Sequence, residues 1–223
     1  MNQSSLKFAA RPSLVLAGSL LLTANSQAVL VIAGVTDGDL LGGNPKAIIL
    51  QAAAPVANLS VWGVGSANNG GGTDGVEFTL PEGTANPGDV IVIAGNTDSF
   101  NFFANNFVQN FALYLDGSAN INGDDAIELF NNGVAFDVYG DINVDGTGQS
   151  WDYMDGFVSR VGTGVGAFEQ ANYSTNLGAF DTLNEQQHID IFVAAGFTQV
   201  VVPEPSSTAL VMLGLAGLIR RRR

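Results

Sequence analysis

Short apolar runs recur along the chain, divided by clusters of Gly, Asn and Asp. They predict strands near Val29–Val35, Ala47–Gln51, Leu59–Val64, Val76–Leu80, Asp89–Ala94, Ala112–Leu115, Ala126–Phe130, Val134–Tyr139 and Phe157–Val161. Several runs alternate with period two, the mark of a strand with one buried and one wet face. Val76, Phe78 and Leu80 oppose Glu77 and Thr79; Ile127 and Leu129 oppose Glu128; Val134, Phe136 and Val138 form a third set. Val90 to Ala94 is apolar throughout and suits a central strand. In Phe130-Asn131-Asn132-Gly133-Val134 two alternating runs flank turn residues, which predicts a β-hairpin. Ser66 to Gly75 is too glycine-rich to form a core element and is expected to be a mobile loop. Thr182-Leu183-Asn184-Glu185 has capping-box spacing, so a short helix is expected from Leu183 to about Ala195. Eight or nine short strands with polar turns and no fixed repeat give an all-β, two-sheet sandwich as the fold class.

The two ends follow different rules. Met1 to Ala28 carries Lys7 and Arg11, then an apolar stretch from Leu14 to Leu22, then small residues at Ser26 and Ala28. This is the pattern of a secretory signal peptide over 1–28, cleaved by signal peptidase after Ala28. At the other end, two prolines precede an apolar run of 12 residues, 208–219, and four arginines close the chain. As a helix that run spans about 18 Å, short against a bilayer core of about 30 Å. Positive charge stays on the cytoplasmic side, so both ends place the intervening domain outside the membrane.

In this tail Pro203, Glu204 and Pro205, the apolar helix and Arg220, Arg221, Arg222 and Arg223 follow one another in fixed order, and 203–223 closely resembles a PEP-CTERM sorting signal. The resemblance implies a bacterial protein recognised by an exosortase, cut near the Pro-Glu-Pro, and delivered to the cell surface or extracellular matrix after transient anchoring in the membrane.

A second resemblance lies within the domain. Asn44 to Leu50, Leu59 to Val64, Ile121 to Phe130 and Phe136 to Asp141 are similar to segments of lamin-tail domains, with an aromatic at Trp151 and a basic residue at Arg160 continuing the pattern. It implies an immunoglobulin-like β-sandwich over 29–173, with 174–202 as a C-terminal extension holding the short helix. Lamin-tail domains are structural modules, and fold does not fix function.

Charge narrows the partners. Between Val29 and Val202 the only bases are Lys46 and Arg160, against twenty acids, a net charge of −18. Such a surface repels a phosphate backbone, so nucleic acid is not an expected partner. Exopolysaccharide or other surface proteins remain. The chain has no cysteine, which removes disulfides and thiolate metal sites.

The acids also raise the question of a cation. In Asp141 to Asp152, oxygen side chains stand at loop positions 1, 3, 5 and 12, with glycine at 6. This is the spacing of a calcium loop, with Asp141, Asn143, Asp145, Thr147 and Asp152 as ligands and Gln149 acting through water. The final Asp is one methylene shorter than the usual Glu, and a polar loop between strands fits the same residues. Asn122-Gly123-Asp124-Asp125 reads as a turn with carboxylates on local N–H groups, or as a second acidic site. His188, the sole histidine, is expected at the surface, and no Gly-x-Ser-x-Gly elbow accompanies it. Trp62, Trp151, Tyr153 and Phe157 suit either a carbohydrate platform or a sandwich core. Phe100 to Phe111 is expected to cover the core as a loop or short helix, or to form a partner-binding patch.

The combined expectation is a non-enzymatic exported surface or matrix protein that binds protein or polysaccharide. The alternative is an accessory module of a secreted hydrolase or nuclease. Intact-mass measurement of the mature protein is expected to find Val29 at its N-terminus; a retained leader would refute the signal reading.

Overall fold

The computed structural model of the chain describes residues 29–200. The signal segment 1–28 with Ala28, and the tail 203–223 with Pro203, Glu204, Pro205, the 208–219 helix and Arg220 to Arg223, lie outside the described residues. Ten strands form: β1 (Leu30–Asp37), β2 (Ala47–Ala52), β3 (Trp62–Ala67), β4 (Phe78–Thr79), β5 (Val90–Ala94), β6 (Ala112–Leu115), β7 (Ala126–Asn131), β8 (Val134–Tyr139), β9 (Gly156–Arg160) and β10 (Tyr173–Asn176). Two helices join them, α1 (Thr97–Asn106) and α2 (Glu185–Ala194). One sheet has the order β10-β9-β1-β2-β5-β6 and the other β4-β3-β7-β8.

The sheets face each other in a sandwich-like arrangement. Leu30, Ile32, Ile48, Leu50, Ile91 and Ile93 of the larger sheet meet Trp62, Val64, Ile127, Leu129 and Tyr139 of the smaller one. The larger sheet also buries its far face. Ala47, Ile49, Val92 and Phe157 lie under Phe102, Phe103 and Phe107 from the α1 region and Phe180, Ile189 and Phe192 from the α2 region. β5 therefore sends alternate side chains into two cores, which explains why Val90 to Ala94 is apolar throughout. The fold is mostly β with a helical layer, not all-β. All neighbouring strands are antiparallel except β5 and β6, which run parallel across the α1 crossover. The Phe-rich segment, expected to cover the core as a loop or short helix, does so as α1, which Asn96 caps by accepting from the Ser99 N–H at 2.9 Å.

Other expectations shift in detail. Leu59–Val61 is a turn of 3-10 helix, and β3 begins only at Trp62. Val76 is 39% exposed, while Leu80 is 1% exposed as expected. In β8 the predicted face is reversed after Phe136, where Asp137 and Tyr139 are buried and Val138 is not; Val134, at the hairpin end, is 69% exposed. A bulge causes this. Leu129 pairs with Asp137 and Phe130 with Ala135, leaving Phe136 as the extra residue, turned edge-on to Trp62 at 5.0 Å. The hairpin forms through a two-residue turn, with φ of 50° at Asn132 and 76° at Gly133, the left-handed pair that type I′ requires. The expected helix starts two residues later than its predicted box: Asn184 is the N-cap, with Gln187 as its partner.

The Ser66–Gly75 segment, expected to be mobile, is docked. Asn69 N–H donates to Asp125 Oδ1 at 3.0 Å and Gly72 N–H to the Ile142 carbonyl at 2.8 Å. A Cβ on Gly70 would lie 2.5 Å from the Asp145 nitrogen, so only glycine permits this approach.

Two ion pairs join separate elements. Asp137 of β8 pairs with Arg160 of β9, across the two sheets. The β1–β9 pairing stops at Gly34 and Ser159. Beyond it the Ile32 N–H donates to Asp137 Oδ2 at 2.9 Å, and Arg160 Nε donates to the Ile32 carbonyl at 2.7 Å. The guanidinium also lies 4.6 Å from the Tyr173 ring centre. Lys46 of β2 pairs with Asp37 of β1 and donates to the Ile121 carbonyl. Burial pushes the Asp37 and Asp137 carboxyls above the ordinary value of 3.8, with their cations and donors opposing. Burial likewise raises Asp125, just before β7.

Two predictions follow from these contacts. Phe192 is fully buried and meets the rings of Phe102, Phe103, Phe107, Phe157, Phe180 and Phe197 at 5.2–5.9 Å. Phe192→Ala is expected to cost about 3–5 kcal/mol in denaturant unfolding, whereas the exposed Val134→Ala costs less than about 0.5 kcal/mol. Asp37, Asp125 and Asp137 take up protons in the fold before they do in the unfolded chain. Their contribution to stability therefore grows as pH falls from 7 toward 3.8, and is lost as pH rises through their folded values. The thermal midpoint of 29–202 is expected to rise on mild acidification; a steady fall across that window would show that burial does not hold these groups up.

Candidate functional site

The Asn122-Gly123-Asp124-Asp125 turn is the base on which the 141–155 loop is built. The Asp124 carbonyl accepts from Gly146 N–H at 3.0 Å, and the Gly123 carbonyl from Tyr153 N–H at 2.8 Å. Tyr153 Oη donates to the Asp125 carbonyl at 3.0 Å, and Thr147 Oγ1 donates to Asp124 Oδ2 at 3.0 Å. Asp125 spans two loops: Oδ1 takes the Asn69 N–H, and Oδ2 the Asn122 N–H at 3.3 Å. The Asn122 contact is the local N–H bond that one of the two readings of this turn expected, whereas Asn69 is 56 residues away. Asp124 Oδ1 is buried without a partner among the described residues.

The five residues of the calcium spacing are handled separately. Asp141 Oδ1 accepts from Asn143 N–H at 3.0 Å, and Asp145 Oδ1 from Thr147 N–H at 2.9 Å. Both are Asx turns. Asp141, Asn143, Asp145 and Thr147 are exposed, whereas Asp152 is buried and clasps the N–H groups of Gly148 at 2.7 Å and Met154 at 3.0 Å. The Thr147 N–H holds the Asp145 carboxyl below its ordinary value. One oxygen each of Asp141 and Asp145, and both of Asp152, thus serve the loop's own turns. Among the described residues no group of three or more His, Asp or Glu is placed to hold a metal ion. Asp124 and Asp125, supplied from outside the loop, are its real anchors, and the loop's own spacing does not reveal them.

His188 is fully buried, contrary to the surface position expected. Its Nδ1 donates to the Asn184 carbonyl at 3.0 Å and its Nε2 accepts from the Asp39 N–H at 3.3 Å, which sets the tautomer. The ring stacks on Phe180 at 4.4 Å. It closes the start of α2 against the turn after β1. Trp62, Trp151, Tyr153 and Phe157 are all buried, so they serve the core and offer no platform for a sugar. The same holds for Phe102, Phe103 and Phe107.

The surface is left to acids. The Lys46 and Arg160 side chains are only 12% and 10% exposed, both consumed by ion pairs. Six of the twenty acids are buried: Asp37, Asp124, Asp125, Glu128, Asp137 and Asp152; the other fourteen reach solvent. A groove of about 550 Å³ opens on the far face of the larger sheet between Ala33, Gly34, Phe157, Ile191 and Phe197. Another, of about 340 Å³, lies along α1 between Leu41, Asn101, Asn105 and Glu185. Among the described residues no helix is long and apolar enough to cross a membrane.

No curated protein and no solved structure matches the chain. Residues 201–223 match the PEP-CTERM protein-sorting motif. That motif directly follows the last strap of the folded body, and it marks the chain as an exported protein sorted by an exosortase toward the cell envelope or surface.

Proposed function

We propose that this chain is a non-enzymatic surface or matrix protein, in which a lamin-tail-like sandwich is presented outside the cell to bind protein or polysaccharide. The observation that carries the reading is the sorting motif at 201–223, attached to a body whose only two cations are internal. An outward surface bearing fourteen acids and no free base favours neutral or cationic partners.

The lamin-tail reading draws support from where its residues fall. Asp137, Tyr139 and Arg160 belong to the segments that carry the resemblance, and they join the two sheets through the ion pair and the shared core. Tyr139 Oη donates to the Trp151 carbonyl at 2.6 Å, tying a fourth such residue to them. A family pattern made of inter-sheet contacts is a pattern of architecture. The non-enzymatic reading draws support from the same accounting. The sole histidine has both nitrogens engaged, and the buried carboxylates of Asp125, Asp137 and Asp152 accept from main-chain N–H groups. A general acid or base needs to reach a substrate proton.

Removal of Pro203 to Arg223 tests the sorting role in cells that contain the exosortase. The shortened chain is expected in the medium, folded and with the mass of 29–202. Continued retention in the envelope would show that the body, not the tail, holds the protein there.

A further inference from the structure

Val200, the last described residue, is tied to the body. Its N–H donates to the Asn106 carbonyl at 2.9 Å, Val108 N–H donates to the Thr198 carbonyl at 2.7 Å, and Phe107 and Gln199 form a β-bridge between them. Phe197 anchors this strap with its ring 5.3 Å from both Phe107 and Phe111. Pro203 is three residues further on. Fully extended, three residues reach at most roughly 10 Å. Whatever grips Pro203 to Pro205 while the body is folded must therefore come within that distance of the exit.

The surface at the exit differs from the rest of the domain. It is built from Ser99–Leu115 and Ile191–Val200, and neither stretch contains an Asp, Glu, Lys, Arg or His. Asn105 and Asn110 are exposed there, together with Val108 at 44% and Val200 at 37%. In a body of net charge −18 this is a patch of amides and small apolar side chains at the point where the described chain ends, with one carboxylate at its edge: Glu185, which accepts from the Asn106 side chain at 3.1 Å. Seating a protein on Val108, Asn110 and Val200 strips water from amides and apolar groups, and interface cores are depleted in charge because a desolvated charge is costly.

We propose that this exit face is the surface on which the exosortase seats while it holds Pro203 to Pro205. The proposal rests on the sorting reading above and adds the contact between enzyme and folded body. The tether sets the distance, and a face made mostly of amides and apolar side chains makes the contact less costly than the acidic surface elsewhere. The tail is then handled with the sandwich pressed against the enzyme, and recognition includes the body as well as the motif.

The test follows conversion of the full-length chain to its tail-less form by intact mass, in cells containing the exosortase. Two exposed side chains without hydrogen-bond partners among the described residues are changed together: Asn105→Glu with Asn110→Glu, and separately Asn105→Lys with Asn110→Lys. Neither pair is expected to move the melting temperature. At native spacing both pairs are expected to slow conversion roughly tenfold, equivalent to about 1.4 kcal/mol of lost contact. A ten-residue Gly/Ser spacer between Val202 and Pro203, with a reach of about 18 Å, is expected to bring both pairs back to the rate of the spacer-bearing parent. Conversion at the parental rate by both pairs without the spacer overturns the proposal. Faster conversion with lysines and slower with glutamates also overturns it, because the face would then be reading lipid charge. If the unaltered chain is not converted at all, the sorting reading itself fails, which is a separate result.

Discussion

The carboxylate of Asp137 holds the two sheets in register with each other. It comes from β8 and reaches β1 and β9, where Ile32 N–H and Arg160 meet it. Arg160 in turn closes the Ile32 carbonyl and lies over Tyr173, so one pair binds four strands. A buried pair adds little net stability compared with apolar replacements, yet breaking it leaves a stranded charge at a cost of about 3–5 kcal/mol. The pair therefore acts on specificity. It admits one bulge position in β8 and one end point for the β1–β9 ladder. Lys46 plays the same part at the other end of β1, where it joins Asp37 to the Ile121 carbonyl. With no cysteine to cross-link the chain, these two cations are its internal clasps.

That use of the bases explains the surface. A domain with two bases and twenty acids either leaves the bases among solvated carboxylates, where an ion pair is worth little, or buries them. This one buries both. The outcome is a solvent-facing shell that carries acids and no exposed base among the described residues, with amides and apolar side chains predominating around the tail exit.

The loops show how polar chains achieve order through short-range side-chain to backbone hydrogen bonds. Asn, Asp and Gly recur because Asx turns need a short acceptor and a flexible neighbour. Asp141, Asp145 and Asp152 each cap the backbone a few residues away, so the spacing of a cation loop is here also the spacing of successive turns. The order of the loop comes from elsewhere, from the 122–125 turn beneath it and from the glycine contact at Gly70 beside it.

The sequence by itself determined what depends on neighbours along the chain. Alternation marked most of the strands, Asn132-Gly133 marked the hairpin, and the charged and apolar ends marked export and sorting, because period, turn chemistry and targeting are local properties. Tertiary structure alone decided what depends on partners far apart in sequence. β10 and α1 carry weak local patterns and exist because a sheet edge and an apolar sheet face were available to them. The reversed face of β8 follows from a bulge that only its pairing with β7 reveals. His188 is buried because Asp39, 149 residues away, brings an N–H to its ring. Asp124 and Asp125 anchor a loop that begins sixteen residues after Asp125, and no spacing rule joins the two. Local periodicity encodes which elements form; burial of charge and aromatic surface, paid for by distant contacts, selects how they meet.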